Sequence, residues 1–86
     1  MNDLTLQKKT LSVLERLDGI ALRESVLASE VEILVGRPLT TDEFRAAMKE
    51  LMGTGRVKRT FDAWNEALYE ITGAGKAALM GREGAR

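Results

Sequence analysis

The sequence predicts an α+β fold in which three amphipathic helices precede a β-hairpin and a short final helix. Three observations lead to this prediction. Apolar residues recur at helical spacing in three stretches between positions 5 and 53. Two β-prone runs, 56–61 and 67–71, flank a polar turn at 62–66. A last stretch, 73–80, follows a threonine that can cap a helix.

The composition is that of an ordinary folded protein. Its 86 residues predict a single domain, 1–86, with positions 1–4 and 81–86 expected to be frayed. Apolar residues make up 44% and charged residues 30%, which excludes an intrinsically disordered chain. The 13 basic and 13 acidic residues leave no formal net charge.

The absence of two residue types limits the reactions that the chain could catalyse. It has neither cysteine nor histidine, so the commonest thiol nucleophile, general base and metal ligands are missing. We therefore expect no enzymatic activity, no cofactor and no metal site. No apolar run approaches the roughly 20 residues of a membrane span, and the start of the chain lacks a signal-peptide pattern. We expect a cytoplasmic protein without a membrane partner.

The first helix is predicted over 5–17, where one stripe at helical spacing is formed by Leu6, Thr10, Val13, Leu14 and Leu17. The pair Asp18-Gly19 should end it, because glycine readily adopts the left-handed conformation of a C-terminal cap. The apolar tripeptide 20–22 is too short for a helix and is predicted to be a minimal edge strand.

The second and third helices have clear boundary signals. The second is predicted over 23–35 and should stop at Gly36. Thr40 and Glu43 have the spacing of a capping box, so the third helix should cover 41–53.

Each predicted element has one apolar face, and together these faces give a candidate core. Its members are Leu14, Leu17, Leu27, Val31, Leu34, Phe44, Met48, Leu51, Val57, Tyr69, Ile71 and Leu79. The apolar residues left over could form a self-complementary patch for a homodimer; they include Leu4, Leu11, Ile33 and Met80.

Two short motifs carry a family resemblance. The run 50–57, Glu-Leu-Met-Gly-Thr-Gly-Arg-Val, resembles the E-L-x-x-x-G-x-V junction between helix and hairpin in bacterial winged-helix regulators. The run 69–76, Tyr-Glu-Ile-Thr-Gly-Ala-Gly-Lys, is similar to the Y-x-L-T-x-x-G-[RK] signature of MarR- and PadR-like regulators. The chain therefore resembles a winged-helix domain, a helix-turn-helix variant whose hairpin is called the wing. Those regulators carry additional long dimerisation helices, which these 86 residues do not contain.

This resemblance implies a small bacterial or phage-type transcription regulator that reads duplex DNA with helix 41–53 and wing 56–71. The second helix of a helix-turn-helix normally enters the major groove, while basic wing residues contact the backbone or the minor groove. The candidate DNA-binding residues are Arg37, Thr41, Arg45, Lys49, Arg56, Lys58, Arg59 and Asn65.

Other interpretations of the same residues remain open. Arg45 and Lys49 could simply solvate a helix face, and the basic wing residues could protect an edge strand from pairing with another chain. The acidic Asp42 and Glu43 at the start of the third helix, together with a pI near 6.3, predict modest and strongly salt-sensitive DNA affinity.

A second class of function, protein binding without DNA binding, depends on the position of Trp64. It either folds back onto an apolar surface or stays exposed as the partner-binding residue of a winged-helix protein-interaction module that binds no DNA. The run 73–76, Gly-Ala-Gly-Lys, lacks the spacing of a phosphate-binding loop and is interpreted as the start of a helix.

Overall fold

Residues 4–17 and 19–81, which the computed structural model of the protein describes, form four helices and three strands. In chain order these are α1 (Leu4–Arg16), β1 (Leu22–Arg23), α2 (Glu24–Val35), α3 (Thr41–Gly53), β2 (Val57–Phe61), β3 (Ala67–Ile71) and α4 (Gly73–Leu79). The predicted α+β class and order of elements are confirmed. Every boundary lies within two residues of its prediction.

The three strands form one antiparallel sheet in the order β1-β3-β2. In the hairpin, Val57 pairs with Ile71 and Phe61 pairs with Ala67. β1 is an edge strand, as predicted, but the prediction that it starts at Ile20 was wrong. The Ile20 backbone N–H donates to the Leu17 carbonyl oxygen at 2.8 Å, so this residue belongs to the turn that closes α1.

The ends of α2 and α3 follow local sequence signals. Gly36 takes the left-handed conformation with φ 82°, and its N–H donates to the Glu32 carbonyl. The capping box of α3 is complete: the Glu43 N–H donates to Thr40 Oγ1, and the Thr40 N–H donates to Glu43 Oε1, each at 3.0 Å. Both helix boundaries are therefore fixed by contacts within a few residues.

The core lies between α1, α2, α3 and the sheet. Nine of the twelve predicted core residues are buried: Leu14, Leu27, Val31, Phe44, Met48, Leu51, Val57, Tyr69 and Ile71. Leu79 packs half-buried against this cluster, and Leu17 is also half-buried. Leu34 was wrongly placed in the core, since it is 38% exposed and lies off the α2 line formed by Leu27, Val31 and Val35.

α1 buries most of its predicted apolar stripe, at Leu6, Thr10, Val13 and Leu14, and buries Leu11 in addition. It packs against α2, α3, α4 and β3. Leu6 and Val13 belong to the predicted stripe, whereas Leu11 was predicted to be left over and is nevertheless buried. Leu11 therefore cannot belong to the proposed dimer patch.

The junction between β3 and α4 explains the second motif. The Thr72 hydroxyl donates to the Gly55 carbonyl at 2.6 Å and accepts from the Gly75 N–H at 3.1 Å, so one side chain caps α4 and ties it to the start of the wing. Gly75 is buried, and a Cβ there would collide with the Arg56 carbonyl oxygen and lie 2.7 Å from Ile71 Cγ1. This close approach requires glycine.

The two chain ends are described only in part. Of the segments expected to be frayed, positions 1–3 and 82–86 lie outside the described residues, as does Asp18 at the end of the first helix. Leu4 begins α1, and the Gly81 N–H donates to the Ala78 carbonyl at 3.1 Å. Within the described ranges, each helix is too short or too polar to cross a lipid bilayer.

Candidate nucleic-acid interface

A groove of about 350 Å³ runs between α3 and the sheet and brings together three of the predicted site residues. Arg45 and Lys49 of α3 form one wall, and Arg59 of β2 forms the opposite wall. The remaining lining residues are Glu24, Met48, Met52 and Tyr69. The groove therefore holds three cationic side chains and one carboxylate, a local net charge of +2.

The sequence of α3 places its cations on the outer face. Phe44, Met48 and Leu51 are buried and fix one side of the helix against the core. Arg45 and Lys49 are four residues apart, so they lie above one another on the exposed side. Thr41, one turn before Arg45 and also exposed, begins the same row.

The wall formed by β2 depends on the alternation of its side chains. Arg59 pairs across the ladder with Tyr69, whose ring faces the groove. Phe61, two residues further, lies on the same face, and the Arg59 guanidinium carbon is 5.5 Å from the centroid of its ring. Lys58 points to the other face, where its Nζ lies 3.6 Å from Glu70 Oε1.

Polar contacts link Tyr69, Glu24 and Arg45 within the groove. The Tyr69 hydroxyl donates to Glu24 Oε1 at 3.1 Å, and Arg59 is the cross-strand partner of Tyr69. Burial raises the pKa of the Tyr69 hydroxyl above its ordinary value. Glu24 Oε2 lies 3.9 Å from Arg45 Nη2. Because exposed pairs this long are weak, Arg45 can exchange Glu24 for a phosphate or a base edge.

Arg37 is held away from the groove by Glu43. Its Nη2 and Nη1 donate to the two carboxylate oxygens of Glu43 at 2.9 and 3.2 Å, and Nη1 also donates to the Pro38 carbonyl at 3.1 Å. The bond from Arg37, followed by the Thr40 N–H, lowers the pKa of Glu43 from 4.5 to about 2. Arg37 thus has a structural partner in the turn between α2 and α3.

Two other predicted wing residues do not join the groove. Arg56 is half-buried before β2 and lines a separate cleft of about 140 Å³ with Gln7 and Lys8. Lys58 faces away from α3, as its contact with Glu70 shows. Of the cations predicted in the wing, only Arg59 faces α3.

Trp64 and Asn65 lie in the wing turn, which Asp62 organises. Asp62 Oδ1 accepts the N–H groups of Trp64 and Glu66 at 2.8 and 2.9 Å. Asn65 has φ 63°, the left-handed conformation that asparagine tolerates in turns. Trp64 is 81% exposed and therefore does not fold back onto an apolar surface.

The sequence did not predict that Phe61 and Glu24 take part in the surface around the groove. Phe61 could have been found, because it follows Arg59 by two positions in a predicted strand and so shares its face. Glu24 had no local signal. Its contact with Tyr69 joins residues 45 positions apart and exists only in the folded chain.

The geometry defines the class of fold. α2 and α3 form a helix-turn-helix, β2 and β3 form a wing directly after it, and the whole has the winged-helix fold. Solved structures share this fold. A MarR-family transcriptional regulator from Silicibacter pomeroyi superposes with a TM-score of 0.75 at 20% identity, covering 91% of this chain and 48% of its own. The chain thus spans about half the length of that regulator.

Two further structures resemble the protein to a similar degree. RosR of H. salinarum gives a TM-score of 0.76 at 21% identity, over 88% of this chain and 66% of its own. A candidate transcriptional regulator from Thermoplasma acidophilum gives 0.68 at 21% identity, over 99% and 85%. No family model and no curated protein matches the sequence. At these identities the likeness shows the fold alone.

Proposed function

We propose that the protein is a small, non-enzymatic transcription regulator of bacterial or phage type that binds duplex DNA. The observation that supports this function best is the convergence of Arg45, Lys49 and Arg59 on one groove between helix α3 and the wing. The winged-helix regulators that share the fold support it at the level of architecture.

In this proposal α3 lies in the major groove. Arg45 pairs with a guanine edge or a phosphate, while Thr41 and Lys49 contact the flanking backbone. Arg59 and the wing reach the next phosphate or the minor groove. The remaining candidates, Arg37, Arg56, Lys58 and Asn65, act as secondary contacts, because several of them already hold partners within the fold.

The charge distribution sets the expected affinity. The groove carries a net charge of +2, but Asp42 and Glu43 begin α3 and the whole chain has no net charge. Since phosphate contacts supply most non-specific affinity, binding should be micromolar and should weaken steeply with salt.

The test is a fluorescence-anisotropy titration of a mixed-sequence duplex at low salt. Arg45→Ala should weaken binding by about 5- to 100-fold, as expected for a lost bidentate base contact or its phosphate equivalent. Arg59→Ala should weaken it as well. Arg16→Ala is the matched control, because Arg16 lies on α1 outside the groove and faces Glu30 at 4.0 Å, as Arg45 faces Glu24 at 3.9 Å.

Two results would contradict the proposal. One is the absence of binding at tens of micromolar by protein that circular dichroism shows to be folded. The other is an equal loss for Arg16→Ala and Arg45→Ala, which would mean that the groove is not the contact surface.

A protein-interaction module remains the second candidate function, and the exposure of Trp64 is the observation that favours it. Under this alternative the folded protein binds no DNA and Trp64→Ala removes a protein partner, whereas Arg45→Ala leaves that partner bound.

A homodimer stays a prediction. Leu4 and Met80 are exposed and lie at the ends of the packed pair α1 and α4, and Ile33 is exposed on α2. A two-fold dimer would present two copies of α3 to the two halves of an operator.

A further inference from the structure

The wing exposes two large aromatic rings that the core does not use. Phe61, the last residue of β2, is 56% exposed, and Trp64 in the following turn is 81% exposed. Trp64 is the most exposed of the large apolar side chains that the structure describes. Tryptophan usually has most of its ring covered, so this surface is of the kind that binds a partner.

The turn holds its backbone in a defined conformation while leaving the Trp64 ring uncovered. The Asp62 N–H donates to the Glu66 carbonyl at 3.1 Å, and the Asn65 N–H donates to the Asp62 carbonyl at 3.0 Å. The Asp62 carboxylate accepts two more N–H groups of the same turn. A ring presented on such an ordered turn loses little backbone entropy when a partner covers it.

The charges around these rings favour an anionic partner with flat apolar faces. Arg59 lies against the Phe61 ring and continues into the cationic groove. The two carboxylates near the tip, Asp62 and Glu66, face Arg23 at 3.9 and 3.7 Å, which reduces their repulsion of an anion. Nucleobases joined by phosphates combine both properties.

We infer that Phe61 and Trp64 stack on nucleobases at an unpaired or kinked step beside the duplex that α3 binds. This inference rests on the proposed DNA binding and names the preferred substrate, a duplex with a disrupted base pair. In a matched duplex the rings must first unstack neighbouring bases, whereas an unpaired step already offers an open base face. The wing should therefore discriminate by DNA structure rather than by sequence.

Intrinsic fluorescence provides a direct test, because the chain has one tryptophan. The protein is titrated with a matched duplex and with the same duplex carrying a two-nucleotide bulge. The bulged duplex should quench Trp64 and should bind about 5- to 100-fold more tightly than the matched one, as expected for stacking of one base. Trp64→Ala and Phe61→Ala should each lower this ratio towards one, and Trp64→Phe should retain part of it. Because the Trp64 variants have no tryptophan, the affinities of all variants are measured by the anisotropy of labelled duplexes.

Arg45→Ala separates this inference from the proposed function. It should weaken binding to both duplexes by a similar factor and leave their ratio unchanged. Equal affinity for the two duplexes, without quenching of Trp64, would overturn the inference while duplex binding still supported the proposed function. Failure to bind either duplex would overturn both, and a change in Trp64 emission caused only by a protein partner would assign the rings to protein docking instead.

Discussion

Glu43 takes part in two local structures at the start of α3. Its carboxylate accepts the Thr40 N–H in the capping box and receives two hydrogen bonds from Arg37. These donors stabilise the charged form and lower the pKa of Glu43 to about 2. A residue that the sequence assigned to the capping box thus also holds the turn between α2 and α3.

The pH dependence of this cluster can be measured. Because the folded-state pKa is lowered, the stabilisation is present above pH 4.5 and is lost as the pH falls from 4.5 towards 2. The Glu43 carboxyl carbon shift in an NMR titration should have its midpoint near 2. Arg37→Ala should raise that midpoint towards 4.5. A wild-type midpoint near 4.5 would show that the contact with Arg37 does not form in solution.

Single residues were predictable where their neighbours in sequence determine their position. Arg45 and Lys49 follow from the period of α3, and their exposure was expected from the buried Phe44 and Met48. Glu24 and its contact with Tyr69 were not predictable, since no local pattern records a contact between α2 and β3.

At the scale of elements, the packing of α4 against the wing depends on Gly75. A Cβ added at this position would meet the Arg56 carbonyl and the Ile71 side chain where α4 begins. Gly75 is part of the motif at 69–76. The structure explains why glycine stands there, because no space is left for a Cβ.

Gly75→Ala should lower the free energy of unfolding by about 1–3 kcal/mol, because the added methyl group forces the wing and α4 apart. Gly73→Ala is the control in the same helix, with no atom within 4 Å of the added Cβ. It should leave stability unchanged or raise it by up to about 1 kcal/mol through helix propensity. Urea unfolding measures both, and equal effects of the two substitutions would show that α4 does not pack closely on the wing.

Elements with local boundary signals were predicted well, and those defined by packing were predicted less well. The capping box gave α3 its observed start, and Gly36 gave α2 its observed end. The burial of Leu11 and the start of β1 were misjudged because both depend on contacts with distant elements, α1 with α4 and β1 with β3.

The whole molecule has no formal net charge, but positive charge is concentrated in one part of its surface. The 13 acidic residues balance the 13 basic ones, yet the groove between α3 and β2 carries a net charge of +2. The field that a phosphate meets depends on nearby charges rather than on the total. The sequence did not predict that Arg45 and Arg59 line one groove, since this requires the hairpin to turn this face towards α3.

The salt dependence of DNA binding tests this arrangement most directly. The logarithm of the binding constant should fall linearly with the logarithm of salt concentration, with a slope of about −0.9 for each phosphate neutralised. The triple variant Arg45→Ala, Lys49→Ala and Arg59→Ala should therefore have a slope shallower than wild type by about 2 to 3, whereas Arg16→Ala should keep the wild-type slope. If the triple variant binds with the same slope as wild type, the phosphates lie elsewhere on the protein and the groove is not its DNA-binding surface.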